Sequence, residues 1–129
     1  MREVGIDIPL GRIAALRNDG EGPRVLALHG WLDNAASFVP LSAHLHGIDL
    51  VAIDQPGHGR SGGAPLASVE ALADWLLALL DVAGVAQASF VGHSMGSLIA
   101  LEAAARAPAK AEALVMIGTA YPMKVSEAL

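Results

Sequence analysis

The chain has 129 residues and a formal net charge of −5, with 53% hydrophobic and 16% charged residues. That is enough polypeptide for one domain and too little for two of ordinary size. The acidic balance, without any cluster of Lys or Arg, argues against nucleic acid or an anionic membrane surface as a partner. The absence of Cys excludes disulfides, thiolate metal sites and a Cys nucleophile.

The opening "MREVGIDIPLGRI" places Glu3, Asp7 and Pro9 where an export signal needs an apolar stretch, so a cytoplasmic protein is expected. "REVGIDI" and "GRIAALRND" read as two short strands joined at "PLG". "RVLALHG", residues 24–30, reads as a buried strand ending in glycine. "SFVPLSAHLHG" predicts a helix over 37–47, with Ser37 as its cap, Pro40 in its first turn and Gly47 as its stop. Phe38, Leu41 and Leu45 would share its apolar face.

"LVAIDQPGHGRSGG" is a second buried strand running into a glycine-rich loop. "SVEALADWLLALLDVAG" carries the strongest helical period, through Leu72, Trp75, Leu76, Leu79, Leu80 and Ala83, capped by Ser68 and ended by Gly84. "ASFVGHS" predicts a strand, "MGSLIALEAAARA" a helix stopped by Pro108, and "AEALVMIGTA", residues 111–120, a last strand. The stretch from Val82 to Leu101 lacks any charged residue and has the length of a membrane span. Its glycines, serines, Gln87 and His93 fit a helix end, a strand and a second helix better. Strands alternating with helices after an opening pair predict an α/β fold, a mostly parallel sheet with helices on both faces.

Gly92-His93-Ser94-Met95-Gly96 fits G-x-S-x-G between a predicted strand and a predicted helix. Glycine at 92 and 96 leaves room for a sharp bend that projects Ser94 from the top of the sheet. The helix that follows offers free N–H groups to developing negative charge. In "LHGWLDNAASF", His29 and Gly30 close a strand. There the backbone N–H of Trp31, with that of Met95, would supply the two donors that a tetrahedral oxyanion needs. In "DQPGHGRSGG", Asp54 is expected to hydrogen-bond the N–H groups of its own loop, and His58 is not read as catalytic.

The three motifs "HGWLDNAASF", "DQPGHGRS" and "VGHSMG", in that order and spacing, resemble the N-terminal half of an α/β-hydrolase-fold serine hydrolase. The resemblance covers essentially the whole chain, read as a single partial domain over 1–129. It implies an ester-type hydrolase with Ser94 as nucleophile, an oxyanion hole from the Trp31 and Met95 backbone, a small-molecule acyl substrate and no metal or organic cofactor.

In that family the acid and the histidine of the triad follow the serine. Residues 95–129 contain neither His nor Asp, and their acidic residues are Glu102, Glu112 and Glu127. A chain truncated before those groups is expected to be inactive alone. Of the preceding histidines, His93 should point away from Ser94, and His29 is expected to be a structural hydrogen-bonder rather than the base. The alternative is half of a split enzyme, or a binding module that uses the exposed edge of strand 111–120 for self-association or for a C-terminal half.

Overall fold

The computed structural model describes residues 1–118. A hairpin opens the chain, β1 (Arg2–Ile8) pairing antiparallel with β2 (Gly11–Arg17). Then come β3 (Arg24–Leu28), α1 (Val39–Ser42), β4 (Asp49–Ile53), α2 (Val69–Val82), β5 (Ala88–His93), α3 (Met95–Arg106) and β6 (Ala111–Ile117). They form one six-stranded sheet in the order β1-β2-β4-β3-β5-β6, parallel from β4 to β6 and antiparallel at the hairpin. The expected α/β architecture is thus present. The final two residues of the strand expected over 111–120 lie outside the described residues.

The two-residue period of the strands divides the core. Leu26, Leu28, Ile53 and Phe90 face α2 and α3, packing on Leu72, Trp75, Leu76, Leu79 and Ile99. Ala27, Leu50, Ala52 and Val91 face the other way, onto Ala35 and Phe38. Central strands covered on both faces explain why they read as continuous apolar runs. Each large side chain taken fully out of water contributes about 1.5–3 kcal/mol.

The helices follow their end signals. Ser68 accepts a hydrogen bond from the Ala71 N–H at 3.0 Å, and α2 stops where Gly84 adopts φ 70°. The uncharged stretch 82–101 divides into the end of α2, β5 and the start of α3, and no helix among the described residues is long and apolar enough to cross a membrane.

The helix expected over 37–47 differs. Asn34, not Ser37, caps a 3₁₀ turn over Ala35–Phe38, accepting from the Ala36 N–H at 3.0 Å, and only Val39–Ser42 is α-helical. Ser37 Oγ instead donates to Asp33 at 2.6 Å, which holds that carboxyl below its usual range. The Ser42 hydroxyl bonds back to the Val39 carbonyl and tightens the last turn. Phe38, Leu41 and Leu45 still pack on one apolar cluster.

Candidate active site

Strand register brings the motifs together. Leu28 of β3 lies level with Gly92 of β5, so the residues that follow each strand leave the sheet side by side. From β3 the chain turns to the face covered by α1, and from β5 to the face covered by α2 and α3. A crevice opens where neighbouring strands send their connections to opposite faces, at the carboxyl ends of the sheet.

Ser94 sits at the bend between β5 and α3 with φ 56° and ψ −120°, a region sparsely populated by side-chain-bearing residues. Such a conformation costs on the order of 1–3 kcal/mol and persists only where its surroundings hold it. Here the Ser94 N–H donates to the Ile117 carbonyl at 2.9 Å. The Ser94 carbonyl accepts from the N–H of buried Ser97 at 3.0 Å and also from the Ser97 hydroxyl. The Ser94 side chain is exposed at the crevice.

The motif glycines answer a need for space. A Cβ at Gly92 would lie 2.4 Å from the backbone of Ser97, and one at Gly96 would lie 2.1 Å from the Leu28 carbonyl oxygen. The helix start therefore packs directly on the end of β3. At Gly30 an added Cβ would meet Ser94 Cβ at 3.3 Å and Ser94 Oγ at 3.7 Å, so the loop after β3 passes beside the hydroxyl.

Trp31 and Met95 line one apolar concavity of about 200 Å³, completed by Leu66, Ala67, Ser68, Val69 and Leu72. Met95 opens α3, where the first N–H groups of a helix find no carbonyl one turn back and the helix dipole adds positive potential. The peptide between Gly30 and Trp31 is held from its carbonyl side. The buried His29 ring donates from Nδ1 to the Gly30 oxygen at 2.7 Å, and the Asp33 N–H adds a second bond to it at 3.2 Å. In a planar trans peptide the N–H points opposite to the C=O. The carbonyl turned toward buried His29 thus directs the Trp31 N–H away from it.

His29 is spent on this work. Its Nε2 accepts from the Gln55 N–H at 3.1 Å, its side chain has no solvent exposure, and burial pushes its pKa below the usual imidazole value. The structural role expected for it is the observed one. The exposed His93 ring lies beside Gly118, on the β6 side, whereas Ser94 faces Gly30 on the β3 side. His44 and His46 precede β4, at the amino ends of the parallel strands. Of the two described glutamates after Ser94, Glu102 is bound to Arg106 at 3.0 Å and Glu112 lies exposed on β6; Glu127 lies outside the described residues.

Asp54 does more than the sequence suggests. One carboxylate oxygen accepts from Arg60 N–H in its own loop at 3.0 Å, as expected. The other accepts from Ala35 N–H at 2.7 Å, in the loop after β3. The Gln55 side chain donates to the His29 carbonyl, and His58 is buried against the same loop. No spacing rule marks these contacts, because each joins residues 19 or more apart in sequence. Among the described residues no group of three His, Cys, Asp or Glu is placed to hold a metal ion.

The chain belongs to the alpha/beta hydrolase fold family, whose profile it matches over residues 23–129. It is 39% identical over 124 residues to a serine hydrolase-like protein of Dictyostelium discoideum, covering 89% of this chain and 34% of that one. It is 39% identical over 103 residues to the lipase LipV of Mycobacterium tuberculosis, covering 79% and 40%. Among solved structures, a hypothetical protein from Pseudomonas aeruginosa PAO1 superposes with a TM-score of 0.84 at 34% identity, over 99% of this chain and 47% of that one. The chain thus spans between a third and a half of the length of these relatives.

Proposed function

We propose that this chain is the nucleophile-bearing part of a serine hydrolase acting on ester-type bonds. The observation that carries the reading is Ser94, held at positive φ on the strand-to-helix bend with its hydroxyl beside Gly30. The Ser94 oxygen would attack the acyl carbon as its proton passes to a general base. The resulting oxyanion would be met by the Trp31 and Met95 N–H groups, and collapse would release the alcohol and leave an acyl-serine for water to cleave. The concavity of about 200 Å³ beside Trp31 and Met95 suits a short acyl or alcohol group. Relatives bearing the names lipase and serine hydrolase-like protein support this chemistry.

Residues 95–129 hold no histidine or aspartate, and the reading supplies the general base from outside this chain. Without a triad member, such enzymes lose on the order of a millionfold in turnover and retain roughly a thousandfold over water. The 129-residue chain alone should therefore turn over p-nitrophenyl acetate at that residual level. A fluorophosphonate should label Ser94 slowly, and faster when imidazole is added as an external base. Turnover at ordinary enzyme rates would overturn the missing-base reading. Failure to label Ser94 even with imidazole would overturn the nucleophile.

The second reading, a pairing surface at β6, rests on Val115, Met116 and Ile117, which are 54%, 37% and 42% exposed. Among the described residues β6 ends the sheet, and an apolar edge strand invites another strand. Sedimentation at micromolar concentration should show self-association, and a single monomer boundary would count against it.

A further inference from the structure

We infer that His58 is a positioning residue for the oxyanion donor, an inference that rests on the hydrolytic reading of Ser94. Leu32 has φ 61°, a left-handed conformation unusual for leucine, and its side chain is 79% exposed. Packing therefore does not hold it. The Leu32 N–H donates to His58 Nε2 at 3.1 Å, and the opposite ring nitrogen, Nδ1, donates to the Pro56 carbonyl at 3.1 Å. A carbonyl accepts and a backbone N–H donates, so both contacts demand the same neutral tautomer, with the proton on Nδ1.

The ring is buried, edge-on to Trp31 at 5.1 Å and tilted against His29 at 5.3 Å. Two adjoining imidazoles thus hold the two peptides that flank Trp31. His29 holds the carbonyl of the peptide before it, and His58 holds the N–H of the peptide after it. With both peptide planes fixed, the Trp31 N–H has one direction left. The bond to His58 also removes the Leu32 N–H from service as an oxyanion donor, which makes Trp31 the donor from this loop. Asp54, through Ala35 N–H at 2.7 Å, anchors the loop's far end from the same segment. The segment "DQPGHGRS" is thereby a brace for the oxyanion loop.

The test uses the chain itself and two variants. In His58→Phe the ring packing stays and the acceptor goes. In His58→Gln an acceptor oxygen is restored at similar reach. NMR should show the parent ring with Nδ1 protonated and Nε2 bare at pH 7.5; the opposite tautomer overturns the inference without any substitution. Exchange of the Leu32 amide should quicken about fivefold or more in His58→Phe and return near the parent rate in His58→Gln, as the loss of one hydrogen bond implies. Phenylboronic acid, which forms a tetrahedral adduct on a serine oxygen, should bind about fivefold more weakly to His58→Phe and recover in His58→Gln. A His58→Gln protein no better than His58→Phe in both measurements, at equal unfolding midpoint, reduces His58 to packing and overturns the proposal. Boronate binding that is indifferent to Ser94→Ala, while the Leu32 amide still responds, overturns the hydrolytic reading and leaves the brace standing.

Discussion

Gly96→Ala probes the contact on which the bend depends. The added Cβ would lie 2.1 Å from the Leu28 oxygen, 2.6 Å from its carbon and 2.7 Å from the His29 oxygen. Carbon contacts settle at roughly 3.5–4 Å, so the start of α3 must retreat from β3 by more than about 1 Å. All three opposing atoms are backbone, at the end of central strand β3 and the residue after it, so no side chain can swing aside. Ile99, Ala100 and Ala103, each at most 1% exposed, ride on the same helix and lose packing as it lifts. Overpacking in a core costs about 1–3 kcal/mol, and rigid backbone on one side of the clash places this case near 3. With a urea slope of about 1.5 kcal/mol/M, the unfolding midpoint should fall by about 2 M. Gly62→Ala is the control, because its Cβ would meet only Arg12 backbone at 3.6 Å and its φ is not positive. Its midpoint should move by no more than about 0.3 M, within the usual ±0.5 kcal/mol of unobstructed substitutions. Equal midpoints for the two variants would refute the claim that α3 rests directly on the β3 backbone.

Ser94→Gly should raise the melting temperature by about 4 °C, because glycine adopts φ 56° without strain worth about 1 kcal/mol, whereas Ser94→Ala keeps the strain and should not. Burial lowers the His29 pKa below 6.5, so below that pH the unfolded chain takes up the proton first. Stability present above pH 6.5 should therefore decline as pH falls through the folded value, and urea midpoints at pH 7.5 and pH 5 should differ less in His29→Asn than in the parent. Asp49 behaves in a lower window. Burial pushes its carboxyl up, but Arg17 at 2.9 Å and Arg24 at 2.8 Å outweigh that and hold it below 3.8. Its contribution is present above that value and lost as pH falls through the folded one. Asp49→Asn should cost about 2 kcal/mol at pH 7, discounted for the partial exposure of both arginines, and the loss should fade in acid.

Particular elements show where sequence reading stops. The long α2 announces itself, since six apolar residues at helical spacing between Ser68 and Gly84 leave no competing arrangement. The segment after β3 does not. Its Ser37 is a sound cap by residue type, yet Asn34 takes the position and Ser37 turns to Asp33, a choice made by where Ala35 and Phe38 must be buried. His58 reads only as a non-catalytic loop histidine until the folded chain sets it against Leu32, 26 residues away.

Local chemistry wrote the apolar strands, the helix ends, the order of the three motifs and the serine between two glycines. Those features depend on side-chain type and short-range spacing, which the amino-acid order contains outright. The sheet register, the crevice between β3 and β5, the helix start resting on bare backbone and the adjoining imidazoles that hold the peptides flanking Trp31 arose only when distant segments met. Their energies belong to contacts across the fold, where each partner's role is set by the other's position.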